Sequence, residues 1–193
     1  MPHRQQTTVS APALQGRGAC SALPRDARAE TLGVAFFDLS RFAEWTTSDE
    51  DQRVASFLQE FYCLAAEHVQ PAGGRIVKFM GDAGLVVFST ESAEDVILAF
   101  CAFVTQARDC AAKLGLDAHV NVNIHIGPVI SGTFGPPGLE RFDVIGKTVN
   151  IAARLGRRGI TLSPQAFRAL SPESRQRFEK ITQPITYRLR SSG

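Results

Sequence analysis

No hydrophobic run in this 193-residue chain is long: the longest, VILAFCAFV at Val96–Val104, has nine residues, about half of the ~20 that a helix needs to cross a bilayer. It reads as a buried helix segment, and no membrane span is expected. Charge of one sign is equally scarce. Lys and Arg number 21 against 19 Asp and Glu, a net charge of +2 without any basic block, which argues against a nucleic-acid partner but leaves room for a small anionic ligand. Four cysteines, Cys20, Cys63, Cys101 and Cys110, lack metal-type spacing. The last three fall within apolar helical patterns, where a free thiol behaves as a small hydrophobe, so a reducing, cytoplasmic location is expected. Residues 1–30 lack the continuous apolar core of a secretory signal and read as a flexible leader, or, with no acid before Asp26, as a transit peptide. Residues 31–193 are long enough for one domain with a real core.

Within that domain LGVAFFDL (32–39) is a short apolar run ending in a carboxylate, a buried strand with Asp38 at its tip. From Ser48 a cap and first-turn acids precede Val54, Phe57, Phe61, Leu64 and Ala65 at helical spacing, until PAGG (71–74) stops the helix. RIVKFMGDAGLVVF (75–88) is a hairpin with Asp82 at its turn. Ser92–Leu114 reads as a second long helix and AHVNVNIHI (118–126) as a half-buried strand by its alternation. In that strand His125 reads as a satisfied core histidine. PVISGTFG reads as a further strand, followed by the strand FDVIG running into the helix TVNIAARL. On that helix Asn150 and Arg154 stand four residues apart, one turn, on one face. The tail offers GITLS, a short helix near 163–169 and a last strand, ITYRL (185–189). The expected fold class is α+β: a ferredoxin-like βαββαβ core with extra C-terminal strands, helices packed on one face of a mainly antiparallel sheet.

Taken singly, an acid after a strand is more often a cap or a solvated loop acid, and Gly-Asp is a common hairpin turn. The ordered set says more. FFDLSRF (36–42), KFMGDAGLVVF (78–88), NIHIGPVISGTFG (123–135) and RFDVIGKTVNIAAR (141–154) resemble, in the same order, the motifs of class III nucleotidyl cyclase catalytic domains. The resemblance implies that Asp38 and Asp82, with the Leu39 carbonyl, hold two Mg²⁺ or Mn²⁺ ions per site, and that Asn150 and Arg154 orient the ribose and stabilise the transition state at the α-phosphate. It further implies that Lys78 and Asp143 read the base. The chemistry agrees: Mg²⁺ takes oxygen ligands from one or two carboxylates plus substrate phosphates, and an Arg donor suits phosphoryl transfer, where positioning and charge stabilisation do the catalysis. Lys can donate to adenine N1 and Asp can accept from its exocyclic amine. Guanylyl relatives usually carry Glu and Cys at these positions, so ATP is the expected substrate and cyclic AMP with pyrophosphate the products.

The chain also departs from the family pattern. Arg41 stands before Phe42 where the family usually has Gly, and it either costs backbone amides or adds a cation at the triphosphate. The family's late phosphate-binding Lys has a partial match in Lys180 (EKITQP), and Arg141 is a further candidate for phosphate. Since the family draws each site from two subunits, a homodimer is implied, and an upstream regulatory domain or protein is left open. The rival readings are a guanylyl cyclase and a catalytically inactive cyclase-like module that binds a nucleotide or a partner. A ferredoxin-like RNA-binding domain is disfavoured because the aromatics sit in apolar runs rather than as an exposed stacking pair.

Overall fold

The computed structural model describes residues 23–47, 50–113, 119–156 and 158–190. Its elements run β1 (Arg28–Leu39), α1 (Phe42–Thr46), α2 (Asp51–Val69), β2 (Arg75–Met80), β3 (Ala83–Phe88), α3 (Ala93–Lys113), β4 (Val120–Phe134), β5 (Arg141–Ile145), α4 (Lys147–Ala153), β6 (Ile160–Leu162), α5 (Pro164–Arg168), α6 (Pro172–Arg175), β7 (Phe178–Ile181) and β8 (Thr186–Leu189). They form one eight-stranded sheet in the order β2-β3-β1-β4-β6-β8-β7, with β5 also paired to β4. Among the described residues every strand pairing is antiparallel except that of β4 with β6. The α+β reading holds, with β1 to β4 and helices α2 and α3 as its core.

The long helices α2 and α3 cover one face of the sheet. Phe37 of β1 sits at 0% exposure in that layer, with the rings of Phe61, Phe79, Phe100 and Phe103 at 5.5 to 6.3 Å. Edge-on aromatic packing of this kind adds about 0.5–1.5 kcal/mol per pair beyond the area buried. Alternate residues of the same strands, Val34, Leu85, Val87 and Val129, form a second cluster with Val144 of β5 and Ala152 of α4. Thus α4 lies on the face opposite the long helices. This smaller face carries the chemistry considered below.

Several elements differ from the sequence expectation for identifiable reasons. The segments 118–126 and PVISGTFG are one fifteen-residue strand, β4; Ala118 lies outside the described residues. Pro128 survives inside it because β6 pairs only with Val122–Ile124 and β5 only from Ile130 onward, so proline stands in the gap between two neighbours. Gly127 is required there: a Cβ would come within 2.6 Å of Thr148 Oγ1 on α4. Nor is β4 half-buried. Val120 to Ile126 are all buried, and the polar members of the alternation face inward to partners rather than to water. His125 behaves as expected, its Nδ1 lying 2.9 Å from Ser163 Oγ, with burial holding the imidazole below its ordinary pKa. The N-cap of α2 is Glu50, without a side-chain cap; Ser48 is outside the described residues, as is Leu114. Cys63 is exposed on α2, whereas Cys101 is buried, because position 63 faces away from the stripe formed by Phe57, Phe61, Leu64 and Ala65. In the tail, α6 and β7 join the short helix and last strand foreseen. Among the described residues no helix is long and apolar enough to cross a membrane.

Candidate active site

Two strand ends bring the acids together. The β2–β3 connection is a two-residue loop, Gly81-Asp82, closed by the pairing of Met80 with Ala83. A hairpin this tight needs positive φ at its first loop residue, and Gly81 has φ 63°. Asp38 pairs with Ala83 in the adjacent register, and the Leu39 amide donates to the Asp82 carbonyl at 3.2 Å. The Leu39 side chain, 4% exposed, anchors the end of β1. Burial raises the Asp82 pKa; a backbone hydrogen bond opposes the shift, and the Asp38 charge adds to it. A carboxylate destabilised by burial and by a second acid beside it is a place where a cation is favoured. Among the described residues no third His, Cys, Asp or Glu completes a protein-only cage, which fits a hard cation finishing its shell with substrate oxygens and water.

Both acids are held by side chains that the sequence reading passed over. The Asn121 amide donates to Asp38 Oδ1 at 2.8 Å. Tyr62 of α2 donates its hydroxyl to the Gly81 carbonyl and stacks on Phe79 at 4.1 Å, pinning the hairpin tip. Burial, and then the Asp82 charge, raise the Tyr62 pKa, so the phenol stays a donor. The readable signal for Asn121 was an amide in the middle of a strand whose apolar neighbours are all core: such a group needs a partner.

Lys78 and Asp143 meet directly, Nζ to Oδ2 at 2.6 Å. They come from β2 and β5, strands that do not pair. The contact depends on a bulge between Ile76 and Lys78, which sets Arg75 opposite Val87 and Lys78 opposite Leu85. Val87 and Leu85 belong to the smaller-face cluster, so the extra residue places Arg75 and Lys78 on one face although their spacing is odd. Arg75 then lies 3.5 Å over the Phe142 ring, a second bridge between the same two strands. Asp143 is aimed by its own neighbour, the Val144 amide donating to Oδ1 at 2.9 Å.

The remaining candidates are more dispersed. Asn150 is exposed on α4; Arg154, also exposed, is the residue after the last turn, since the helix ends at Ala153. Arg41 caps α1 in the left-handed region, φ 62°, and its guanidinium pairs with Glu44 at 2.9 Å. The φ explains the family's glycine: this position needs a conformation that glycine adopts freely. Arg141 opens β5, exposed, and donates to the Glu140 carbonyl at 2.7 Å. Lys180 is exposed on β7, at the sheet edge opposite β2. Within one chain it does not join the two acids.

Comparison with known proteins supplies the frame for this arrangement. The model of the Adenylate and Guanylate cyclase catalytic domain matches residues 25–186. The chain belongs to this family. An uncharacterised protein of Mycobacterium tuberculosis is 32% identical to the chain over 162 residues, 76% of this chain and 28% of the relative. The chain thus spans under a third of that protein's length. Among solved structures, the adenylyl cyclase CyaB of P. aeruginosa superposes with a TM-score of 0.75 at 20% identity, covering 87% of this chain and 97% of that one. The guanylyl cyclase Cya2 gives 0.69 at 20% identity, covering 87% and 95%. These two likenesses show the cyclase fold, and they include both base specificities.

Proposed function

We propose that the protein is an adenylyl cyclase, converting ATP to 3′,5′-cyclic AMP and pyrophosphate. The observation that carries the choice of ATP is the Lys78–Asp143 pair at 2.6 Å. The ammonium has three donors and spends one on Asp143, leaving others for adenine N1; Asp143 Oδ2 keeps acceptor capacity for the exocyclic amine. Guanine presents an N1–H at the same place, which the lysine would oppose.

In the reaction the ribose 3′-oxygen attacks the α-phosphorus in line. The O3′–Pα bond forms, the bond from Pα to the bridging oxygen of pyrophosphate breaks, and the hydroxyl proton leaves to solvent. Asp38, Asp82 and the Leu39 carbonyl would hold two Mg²⁺ or Mn²⁺ ions, which supply an acidified hydroxyl and charge neutralisation on the leaving phosphates. Asn150 orients the ribose and Arg154 donates to the α-phosphoryl oxygens as charge builds there. Arg41, Arg141 and Lys180 are the candidates for the outer phosphates. Acids and base readers from one subunit face Asn150 and Arg154 of the other in a homodimer with two shared sites; the separation of Lys180 from the acids within one chain is consistent with a site built across subunits. The domain is taken as residues 31–193 behind an N-terminal leader, working in the cytoplasm, with an upstream regulatory domain or protein as the source of its signal.

A second reading has one specific observation in its favour. Arg41 holds a strained backbone where glycine is usual and pairs with Glu44, as a cyclase-like module that binds nucleotide without turnover could tolerate. Pyrophosphate release from ATP with Mn²⁺ separates the two. The cyclase reading expects turnover that Asp38→Ala or Asp82→Ala removes while the fold survives; unchanged release in either variant would end the two-metal assignment.

A further inference from the structure

The side chain of Asn121 has only one chemically consistent orientation. Its Nδ2 faces Asp38 Oδ1 at 2.8 Å and its Oδ1 faces the Gly159 amide at 3.1 Å. A carboxylate can only accept here and a backbone N–H can only donate, so neither end of the amide can be exchanged. The residue is 8% exposed and sits in β4 opposite Asp38 in the β1–β4 register. The turn it grips is fixed independently: the Val122 amide donates to the Gly159 carbonyl at 3.0 Å, and Asn123 Nδ2 donates to the Gly156 carbonyl at 2.9 Å. Asp38 is therefore tied through one rigid amide to a backbone that β4 holds in place.

We infer, resting on the metal role of Asp38 proposed above, that Asn121 is a positioning residue: by donating to Asp38 Oδ1 it fixes the rotation of the carboxylate and turns the other oxygen to the divalent cation. The reasoning is geometric. A carboxylate at a strand end can rotate about its last bond, and each orientation lost before the metal arrives is entropy not spent on binding. A donor on one oxygen selects one orientation, as hydrogen bonds behind metal ligands generally do, and removing such a partner costs roughly 10–100-fold in metal affinity or activity. Asn123 supplies the internal contrast. It grips the same turn from the same face of the same strand, but its donor ends on a carbonyl and not on Asp38.

The test reads metal binding without turnover. Free Mn²⁺ is titrated by electron paramagnetic resonance against the protein with 3′-deoxy-ATP, which lacks the attacking hydroxyl, for wild type, Asn121→Leu, Asn121→Ala, Asn123→Leu and Asp38→Ala, with Tm recorded for each. Both Asn121 variants should weaken Mn²⁺ binding by roughly tenfold or more. Asn123→Leu should lower Tm but hold Mn²⁺ within about twofold of wild type, outside the range expected on losing a ligand's partner. Folded Asn121 variants that bind Mn²⁺ like wild type, beside an Asp38→Ala protein that does not, would overturn the inference and leave the metal reading standing. An Asp38→Ala protein with undiminished binding would overturn both. If neither Asn121 variant folds, the wild-type side-chain amides decide it. Saturation with Mg²⁺ and 3′-deoxy-ATP should shift the Asn121 resonances well beyond those of Asn123, and an unmoved Asn121 would refute the role.

Discussion

Replacing Lys78 by Glu and Asp143 by Cys probes the base-reading pair most searchingly, because the structure sets the expected size. The two side chains are 43% and 30% exposed and 2.6 Å apart. In the single variant Lys78→Glu a carboxylate faces Asp143 at about that position. Two like charges near 4 Å repel by about 1 kcal/mol in water and about 4 kcal/mol at the effective dielectric of a protein surface, so the single variant should lose activity with ATP and GTP alike. The double variant removes that repulsion and offers Glu to the guanine N1 and N2 donors. A donor or acceptor left unmatched in the bound state costs about 1–3 kcal/mol, and each 1.4 kcal/mol is tenfold. The ratio of kcat/KM for ATP over GTP should therefore fall at least about tenfold in the double variant. Initial rates with Mn²⁺ and each nucleotide measure it. A ratio that does not move would mean that the ion pair is a surface contact and that the base is read elsewhere.

Three further outcomes follow from other parts of the molecule. Asp82→Ala and Asn150→Ala homodimers should each be nearly inactive, but mixing equal amounts should restore roughly a quarter of wild-type activity, since half the dimers are mixed and each has one intact site of two by twofold symmetry; no recovery after labelled exchange would place each site within one chain. Arg41→Gly should release the left-handed strain and stabilise by about 1 kcal/mol, a Tm rise of ~2–4 °C by calorimetry; the exposed pair with Glu44 offsets little of it, and a fall in Tm would contradict the strain. Burial, against a backbone hydrogen bond, and the Asp38 charge raise the folded Asp82 pKa. Stability from this group is therefore present at low pH and lost as pH rises through that pKa. Metal-free wild type should lose Tm relative to Asp82→Asn as pH rises from the acid range to neutrality, and a constant difference would contradict this.

What the sequence made legible was whatever local chemistry determines. The Gly-Asp loop announced its hairpin, the spacing of Phe57, Phe61 and Leu64 announced α2, and the ordered motifs singled out Asp38, Asp82, Lys78 and Asp143, which the fold brings together as two pairs. What it hid depends on neighbours distant in the chain. The segments 118–126 and PVISGTFG read as two strands because nothing local reveals that β6 stops before Pro128 and β5 starts after it, so that one strand can run through. Asn121 and Asn123 read as a solvent face because alternation cannot distinguish water from a buried turn that offers hydrogen bonds. The bulge at Val77 leaves the hydrophobic pattern of β2 almost unchanged, yet it aims Lys78 at Asp143. Tyr62 looked like one more aromatic on a helix, and only the packing of α2 against the hairpin gives its hydroxyl a target.

The central claim is that this domain closes a ring on ATP. The most direct measurement is chromatographic: purified protein is incubated with Mn²⁺ and either ATP or GTP, the products are resolved against authentic cyclic nucleotides, and Asp38→Ala is run alongside. The account predicts 3′,5′-cyclic AMP and an equal amount of pyrophosphate from ATP, far less cyclic GMP from GTP, and neither from Asp38→Ala. Folded protein that yields no cyclic product from either nucleotide, or that yields mainly cyclic GMP, would contradict it.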